Sequence, residues 1–343
     1  MRVLIIGGTG FIGVHVLHQL LEEGHDVALF QRGQTRTELS FPVHHIYGDR
    51  KELPTFASDF RGFAPDVVLD MIPFTEQDAL SLMSTFRGTA RRVVAISSMD
   101  VYRAYGLFRR SEVGKPEPMP FDEDAPLRSS LFPYRSLAQS AGDILYNYEK
   151  ILVERIVLND DELSGTVLRL PCVYGAGDSY HRTFEYLKRM DDGRPAIILS
   201  EAKAQWRWTR GYMENVAAAI TLAVTHEESA DRIYNVGEAE ALTEAEWVGE
   251  IGRAAGWNGD VITESADMLP KHLVEEYDYR HNLAANTGRI RRELGYSEPV
   301  SREAALKRTV AWERRAAPKE VSAERFDYAA EDEALTKIGR LRR

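Results

Sequence analysis

The stretch LIIGGTGFIG, residues 4–13, runs from apolar residues into three glycines, Gly7, Gly10 and Gly13. The residues that follow, HVLHQLLEEGH, continue with apolar side chains at helical spacing. The first glycine permits a tight turn, the second lets the backbone approach a pyrophosphate, and the third lets the helix pack closely on the strand. A glycine-rich turn without a ligand is the alternative, but the strand before it and the helix after it favour a phosphate-binding loop.

Short apolar runs alternate with helical patterns through the first half of the chain. Six of these runs are predicted as buried strands: RVLIIG, DVALFQR, HHIYGD, PDVVLDMI, RRVVAISS and GTVLRLPCVYG. Strands that are apolar throughout and separated by helices indicate a parallel sheet covered on both faces. The sequence therefore predicts an α/β fold with a doubly wound parallel sheet, a Rossmann fold. Its ligands would bind beyond the carboxyl ends of the strands.

The chain divides into three parts by pattern. We predict a dinucleotide-binding domain over residues 1–175 and a smaller C-terminal substrate-binding lobe over 176–317, interleaved with the last elements of the sheet. Residues 103–133 are rich in proline and charge, and we interpret them as a surface insertion near the mouth of the site, with a mobile loop without a role as the alternative. The charged tail, 318–343, is predicted to be a terminal helix or disordered.

Composition limits the classes of partner. The formal net charge of −10 makes a nucleic-acid partner unlikely, because such partners require a basic face. No run of eighteen apolar residues occurs, so we expect no membrane span. The single cysteine, Cys172, excludes an internal disulfide and fits a cytoplasmic location. We expect a small-molecule substrate, a possible homodimer and no metal site.

A second group of residues indicates catalysis. The strand RRVVAISS ends at Ser97 and Ser98, and the later segment YNYEKILVE contains Tyr146 and Lys150 four residues apart. On a helix this spacing places both side chains on one face. A lysine ammonium makes a phenol easier to ionise, and a phenolate can take a proton from an alcohol while hydride leaves for a nicotinamide. Taken alone, this spacing is common and usually marks a solvated helix face.

Together these segments resemble the extended short-chain dehydrogenase/reductase superfamily, the NAD(P)-dependent epimerases and dehydratases. GGTGFIG is similar to the family's glycine loop, SSMDVY to its SSxxVY strand end and YNYEKILVE to its YxxxKxxxE segment. The resemblance implies that Tyr146 is the acid/base, that Lys150 binds the ribose and stabilises the phenolate, and that Ser98 is the catalytic serine. Two rival tyrosines, Tyr134 and Tyr148, lack a lysine four residues on.

The resemblance also implies which residues contact an NAD(P) cofactor. Asp49 of YGD matches the acid that contacts the adenine ring, and Pro171 and Val173 of LRLPCVYG lie where the family places its nicotinamide. The full set of candidate cofactor residues is Gly7, Thr9, Gly10, Phe11, Ile12, Gly13, Gln31, Arg32, Asp49, Arg50, Met71, Tyr146, Lys150, Pro171 and Val173.

The sequence departs from the family at the end of the second strand. The acid that commonly binds the adenine ribose is replaced there by Gln31, followed by Arg32. An acid would repel a 2′-phosphate, whereas a neutral residue followed by an arginine would accept one. We therefore favour NADP. The alternative is that Arg32 stacks on the adenine or faces solvent.

Two further departures concern the substrate. The sugar-nucleotide dehydratases place Asp and Glu after the catalytic threonine, where this chain has Met99 and Asp100, which argues against a 4,6-dehydratase because methionine cannot donate a proton. In QWRWTRGY the tryptophans alternate with Arg207 and Arg210, which would hold a nucleotide base and diphosphate or form a strand with tryptophans in the core. Ser98, Asp100, Arg207 and Arg210 are the candidate substrate contacts.

These features favour an enzyme. The expected activity is NAD(P)-dependent hydride transfer at a secondary alcohol or ketone of a nucleotide sugar, as an epimerase or a reductase. Two alternatives retain the fold without catalysis. One is an RNA-binding protein that resembles some chloroplast members of this branch, and the other is a cofactor-sensing regulator.

Overall fold

A computed structural model describes residues 1–34 and 43–339. Its strands, in chain order, are β1 (Arg2–Ile6), β2 (Asp26–Gln31), β3 (His44–Tyr47), β4 (Val67–Asp70), β5 (Arg92–Ser98), β6 (Ser164–Leu170), β7 (Cys172–Tyr174), β8 (Ala196–Ser200), β9 (Arg210–Tyr212), β10 (Ile233–Asn235) and β11 (Asp260–Glu264). Seven of them form one sheet in the order β3-β2-β1-β4-β5-β6-β10, with every pairing parallel. The predicted doubly wound parallel sheet is confirmed, and the six predicted strands correspond to β1–β6.

The helices are α1 (Gly13–Glu22), α2 (Ala57–Phe63), α3 (Glu76–Phe86), α4 (Arg103–Phe108), α5 (Ile144–Asn147), α6 (Lys150–Leu158), α7 (Phe184–Asp191), α8 (Glu201–Gln205), α9 (Met213–Thr225), α10 (Glu244–Ala255), α11 (Gly288–Leu294), α12 (Arg302–Arg315) and α13 (Tyr328–Lys337). Their ends carry local signals. Thr75 and Thr243 begin α3 and α10 with capping boxes, and Gly256 ends α10 at a φ of +74°. Such caps satisfy backbone groups that a helix end leaves unpaired.

The main sheet is covered on both faces. On one side, α1 and α9 pack through residues such as Val16, Leu20 and Ile220, which are fully buried. On the other side, α2 contributes Phe60 and α3 contributes Phe86 to a second core. Helix α6 adds Val153 and Val157 to the same core. Because both faces are covered, the inner strands are apolar, as the burial of β1 and β4 shows. The prediction of a buried strand is wrong for β3, which lies at the sheet edge and is exposed at three of its four residues.

The chain after β6 builds a second lobe. Pro171 interrupts the strand, and β7 leaves the main sheet to pair with β9. Proline cannot donate a ladder hydrogen bond, which explains the break at this position. The pair β8–β11 lies beside helix α13, where Ala334 and Leu335 are buried against Ile198 and Ile262. The described part of the charged tail thus contains a packed helix.

Residues 103–133 differ from the predicted surface insertion at their beginning. Helix α4 is almost wholly buried and packs with Phe121, Trp206 and Leu283 in a separate apolar cluster. The remainder of the segment, up to 133, is mostly exposed or half-buried. Within residues 1–34 and 43–339, no helix combines the length and apolarity needed to cross a bilayer.

Candidate active site

The glycine loop joins the end of β1 to the beginning of α1. Gly7 has a φ of +80°, and its N–H donates to the carbonyl oxygen of Phe30 at 3.1 Å, so the chain turns tightly here. A Cβ on Gly13 would lie 2.8 Å from backbone atoms of Gly8, which shows how closely the helix packs on the loop. A Cβ on Gly10 would meet no atom within 4 Å, so this side of the loop is open.

The beginning of α1 is suited to an anion. Among the described residues, no side chain caps the helix at Ile12, and its first turn contains no acidic residue. An uncapped N-terminus offers backbone N–H groups and a partial positive charge. The open position at Gly10, the tight packing at Gly13 and this polarised helix end together fit the pyrophosphate of a dinucleotide.

The other candidate cofactor residues lie along the carboxyl ends of the strands. The half-buried ones are Thr9, Phe11, Ile12, Met71 and Pro171, and Val173 is buried. At the ends of β2 and β3, the Gln31 amide nitrogen lies 3.1 Å from Nδ1 of His45, and Arg32 is exposed. Asp49 accepts a hydrogen bond from the Lys51 N–H at 2.9 Å.

Arg50 is held by neighbouring carboxylates. Its guanidinium lies 2.6 Å from Asp70 Oδ2 and 3.1 Å from Asp78 Oδ1. Asp70 is fully buried at the end of β4, and this burial raises the pKa of its carboxyl, an effect that Arg50 partly offsets. Arg50 therefore neutralises a buried carboxylate. The cofactor contact predicted for Arg50 stays a prediction.

Tyr146 and Lys150 are not on one helix. Helix α5 ends at Asn147, Tyr148 is extended, and α6 begins at Lys150. The predicted shared helix face is therefore wrong. Tyr146 is 36% exposed, and the Arg135 guanidinium carbon lies 4.7 Å from its ring centroid.

The helix begins late because Glu149 caps it. The Glu149 carboxylate accepts a hydrogen bond from the N–H of Ile151 at 3.0 Å. Its other bonds come from the Phe132 N–H at 2.6 Å and from the Arg128 guanidinium at 3.0 Å, and this ion pair is almost fully buried. A side chain with these partners fixes the first turn of α6 at this point.

Lys150 is buried below the carboxyl edge of the sheet. Its ammonium donates to the carbonyl oxygens of Pro73 at 2.7 Å and Ile96 at 2.8 Å. Burial lowers the pKa of Lys150 to about 8, and the carboxylates of Asp70 and Asp100 limit the fall. At neutral pH the lysine therefore keeps its charge close to the ends of β4 and β5.

Ser98 stands at the end of β5, where the next residues turn. Its hydroxyl accepts a hydrogen bond from the Asp100 N–H at 3.1 Å. The carboxylate of Asp100 accepts hydrogen bonds from two phenols, Tyr134 at 2.9 Å and Tyr148 at 3.0 Å. The structure thus places Ser98, Asp100 and Lys150 together with the two tyrosines that lack the expected spacing. No local pattern marks these tyrosines, because the chain between them and β5 folds back irregularly.

A buried polar network lies next to these residues. Glu154 accepts hydrogen bonds from Arg169 at 3.0 and 2.7 Å and from the Ser97 hydroxyl at 2.5 Å. Arg169 also donates to the Tyr102 hydroxyl at 2.9 Å, and this hydroxyl donates to Asn235 at 2.7 Å. The network joins β5, α6, β6 and β10, and it holds the strand end that carries Ser98.

The segment QWRWTRGY is mainly part of the core. Trp206 is 5% exposed and donates from its indole to the His281 carbonyl at 2.9 Å. Arg210 is buried in an ion pair with Glu244. Arg207 is partly exposed and donates to the carbonyl of Ala241 at 2.8 Å. The reading of these tryptophans as core residues fits this geometry, and Arg210 is already paired within the protein.

A glycine loop between β1 and α1, with a half-buried serine and a buried lysine at the same edge of the sheet, fits a Rossmann-fold protein. Residues 3–237 match the model of the NAD-dependent epimerase/dehydratase family. This match spans more than half of the chain, and the protein belongs to that family.

Individual relatives are distant. The chain is 24% identical over 282 residues to the 2′-dehydrokanamycin reductase of Streptomyces kanamyceticus, covering 80% of this chain and 72% of that protein. It is 23% identical over 256 residues to a chloroplast stem-loop binding protein of 41 kDa from Arabidopsis thaliana, covering 71% and 60%. The structure of a dTDP-glucose 4,6-dehydratase from Bacillus anthracis in complex with NAD has a TM-score of 0.66 at 17% identity, covering 92% and 97%. This structural likeness shows the shared fold.

Proposed function

We propose that the protein is an NAD(P)-dependent oxidoreductase that transfers hydride at a secondary alcohol or ketone, as a reductase or an epimerase. The observation that carries this proposal is the placement of Ser98, Lys150 and two half-buried phenols at the carboxyl edge of the sheet that also carries the glycine loop. Ligands of doubly wound sheets bind at this edge. Family membership supports the same class of reaction.

Each part of the site has a proposed task. The glycine loop and the first turn of α1 would hold the pyrophosphate, and a bound nicotinamide would supply or accept the hydride. Ser98 would hold the substrate oxygen by a hydrogen bond. The Lys150 ammonium would stabilise negative charge that develops on a phenol during proton transfer. The acid/base role predicted for Tyr146 stays a prediction.

A nucleotide sugar is the proposed substrate class. Support comes from a structural neighbour whose own substrate, by its name, is dTDP-glucose. Met99, buried directly after Ser98, takes the place of the acid that a 4,6-dehydratase uses. We therefore propose epimerisation or reduction over dehydration.

The test of this proposal is turnover by the purified protein. We expect absorbance loss at 340 nm when NADPH or NADH is mixed with a panel of ketones that includes nucleotide 4-keto sugars, cyclic ketones and 1,2-diketones. An epimerase would instead interconvert UDP-glucose and UDP-galactose with catalytic cofactor, which chromatography detects. Binding of the cofactor without turnover of any panel member would contradict the proposed activity.

The cofactor preference gives a separate prediction. We expect NADPH to bind at least about tenfold more tightly than NADH, a difference of about 1.4 kcal/mol. The reason is that Arg32 is exposed directly after β2 and that residue 31 is a neutral glutamine and not an acid. Titration by protein fluorescence measures both dissociation constants. The variant Arg32→Met should lose the preference, whereas Arg61→Met, exposed on α2, should keep it. Tighter binding of NADH by the parent protein would overturn the choice of NADP.

A second candidate is a binding protein on the same fold. Its support is the similarity to the chloroplast stem-loop binding protein. The net charge of −10 disfavours it, because RNA binding draws on basic side chains. Retardation of a labelled RNA stem-loop at physiological salt, together with absent turnover, would favour this candidate.

A further inference from the structure

The Tyr148 side chain lies next to Asp100, Ser98 and Lys150. Its hydroxyl lies 3.0 Å from Asp100 Oδ2, and the adjacent Ser98 hydroxyl is close enough to lower the pKa of the phenol. The Lys150 ammonium lies 5.8 Å from the centroid of the Tyr148 ring. The same phenol thus neighbours the group that would hold the substrate oxygen and the cation that would stabilise a phenolate.

Asp100 holds two phenols on one oxygen atom. Tyr134 donates to the same Oδ2 at 2.9 Å, and the two tyrosine rings meet edge to face at 5.1 Å. Asp100 is 5% exposed, and its other oxygen, Oδ1, is buried without a hydrogen-bond partner among the described residues. A buried carboxylate oxygen without a partner costs free energy unless a ligand supplies a donor. Asp100 therefore positions both phenols through one oxygen, while its other oxygen is buried without a partner among the described residues.

The surroundings fix this arrangement. The Arg128 guanidinium donates to the Asp100 carbonyl at 2.5 Å and pairs with Glu149, which caps α6 directly after Tyr148. By contrast, the described contacts of the Tyr146 ring are with the exposed Arg135. Unlike Tyr146, Tyr148 donates to the buried Asp100 and is followed by the buried ion pair of Glu149 with Arg128.

We propose that Tyr148 is the catalytic proton donor, that Asp100 is its positioning residue together with Tyr134, and that the site is arranged for reduction of a carbonyl. This inference rests on the proposed oxidoreductase function. A bound reduced nicotinamide would supply hydride to the carbonyl carbon, and the Tyr148 phenol would turn from Asp100 Oδ2 and give its proton to the carbonyl oxygen. The products are an alcohol, the oxidised cofactor and a phenolate, which regains a proton from water.

The charges around the phenol favour its protonated form. Burial raises the pKa of Tyr148 well above its usual value, and the negative charge of Asp100 raises it further. The Tyr134 phenol also raises the pKa of Tyr148. The cations nearby are Lys150, Arg128 and Arg109, and the guanidinium carbon of Arg109 lies 4.8 Å from the Tyr134 ring centroid. The phenol is therefore neutral over the physiological range, the state that donates a proton to a developing alkoxide.

Two tyrosine variants test the assignment. With NADPH and the most active ketone of the panel, Tyr148→Phe should lower kcat by about 10²–10⁴ and leave the NADPH dissociation constant almost unchanged. Tyr277→Phe, an exposed tyrosine distant in sequence, is the matched control and should keep full activity. A loss of this size in Tyr146→Phe, with Tyr148→Phe still active, would overturn the assignment and leave the oxidoreductase function intact. Parent protein that binds NADPH and reduces no ketone would overturn both.

A double-variant cycle tests the role of Asp100. In Asp100→Asn the phenols lose the charged acceptor of their hydrogen bonds, so kcat should fall at least about tenfold while the NADPH dissociation constant stays almost unchanged. If Asp100 acts through Tyr148, Asp100→Asn should lower kcat little further in the Tyr148→Phe background. Equal losses from Asp100→Asn in both backgrounds would show that Asp100 does not act through Tyr148.

Discussion

The variant Gly10→Val is expected to lose measurable NAD(P)H binding, with a dissociation constant raised at least about 100-fold, or about 2.7 kcal/mol. A Cβ at residue 10 meets no protein atom within 4 Å, so the branched side chain fits the fold. The same side chain fills the open side of the loop, where the pyrophosphate would approach the backbone. Titration calorimetry with NADPH measures the effect.

The control for this prediction is a second glycine with open space. A Cβ on Gly62, in α2, also meets nothing within 4 Å. We expect Gly62→Val to keep full cofactor affinity, and both variants to keep the parental circular dichroism spectrum. If Gly10→Val bound NADPH as tightly as the parent, the loop would not be the cofactor site.

The parts of the fold that follow from local sequence were predictable. The strands β1, β2, β4, β5 and β6 are short, largely apolar and bounded by turns, so their positions and parallel pairing follow from the pattern. The glycine loop was predictable for the same reason. The geometry of a single turn requires the positive φ of Gly7 and the absence of a Cβ at Gly13. The binding of a ligand there remains a prediction.

The centre of the site depends on contacts between distant segments. Spacing alone favoured Tyr146 over Tyr148, because a four-residue interval places two side chains on one face only if the helix is continuous. The helix is interrupted because Glu149 pairs with Arg128 and caps a new helix that begins at Lys150. A pattern within ten residues does not contain that ion pair.

Asp100 illustrates the same limit. The carboxylate lies 34 residues from Tyr134 and 48 residues from Tyr148 along the chain. These three residues come together because the segment after α4 folds back over the carboxyl ends of the strands. The sequence marked Asp100 as a substrate contact by its position after Ser98, but its two phenol partners required the tertiary structure.

The second large effect is expected in the stability of the protein. Arg169→Met should lower the apparent free energy of unfolding by about 3–5 kcal/mol, because it leaves the Glu154 carboxylate buried without its cation. Arg169 and Glu154 are 2% and 3% exposed, and two hydrogen bonds join them. The arginine also donates to the carbonyl of Glu123 at 2.7 Å, so this acceptor loses a partner as well. Urea unfolding followed by circular dichroism measures the loss.

Two further variants separate the cost of an unpaired charge from the cost of lost packing. In the double variant Arg169→Met/Glu154→Leu no charge is left buried, so we expect much of the stability to return, since apolar residues of similar volume often replace a buried ion pair without loss. The matched surface pair is Arg314 with Asp191, whose side chains are 43% and 37% exposed. Arg314→Met should change the unfolding midpoint far less, because water screens an exposed ion pair. If the double variant were as unstable as Arg169→Met, the loss would come from packing around β5, α6 and β6 and not from the uncompensated carboxylate.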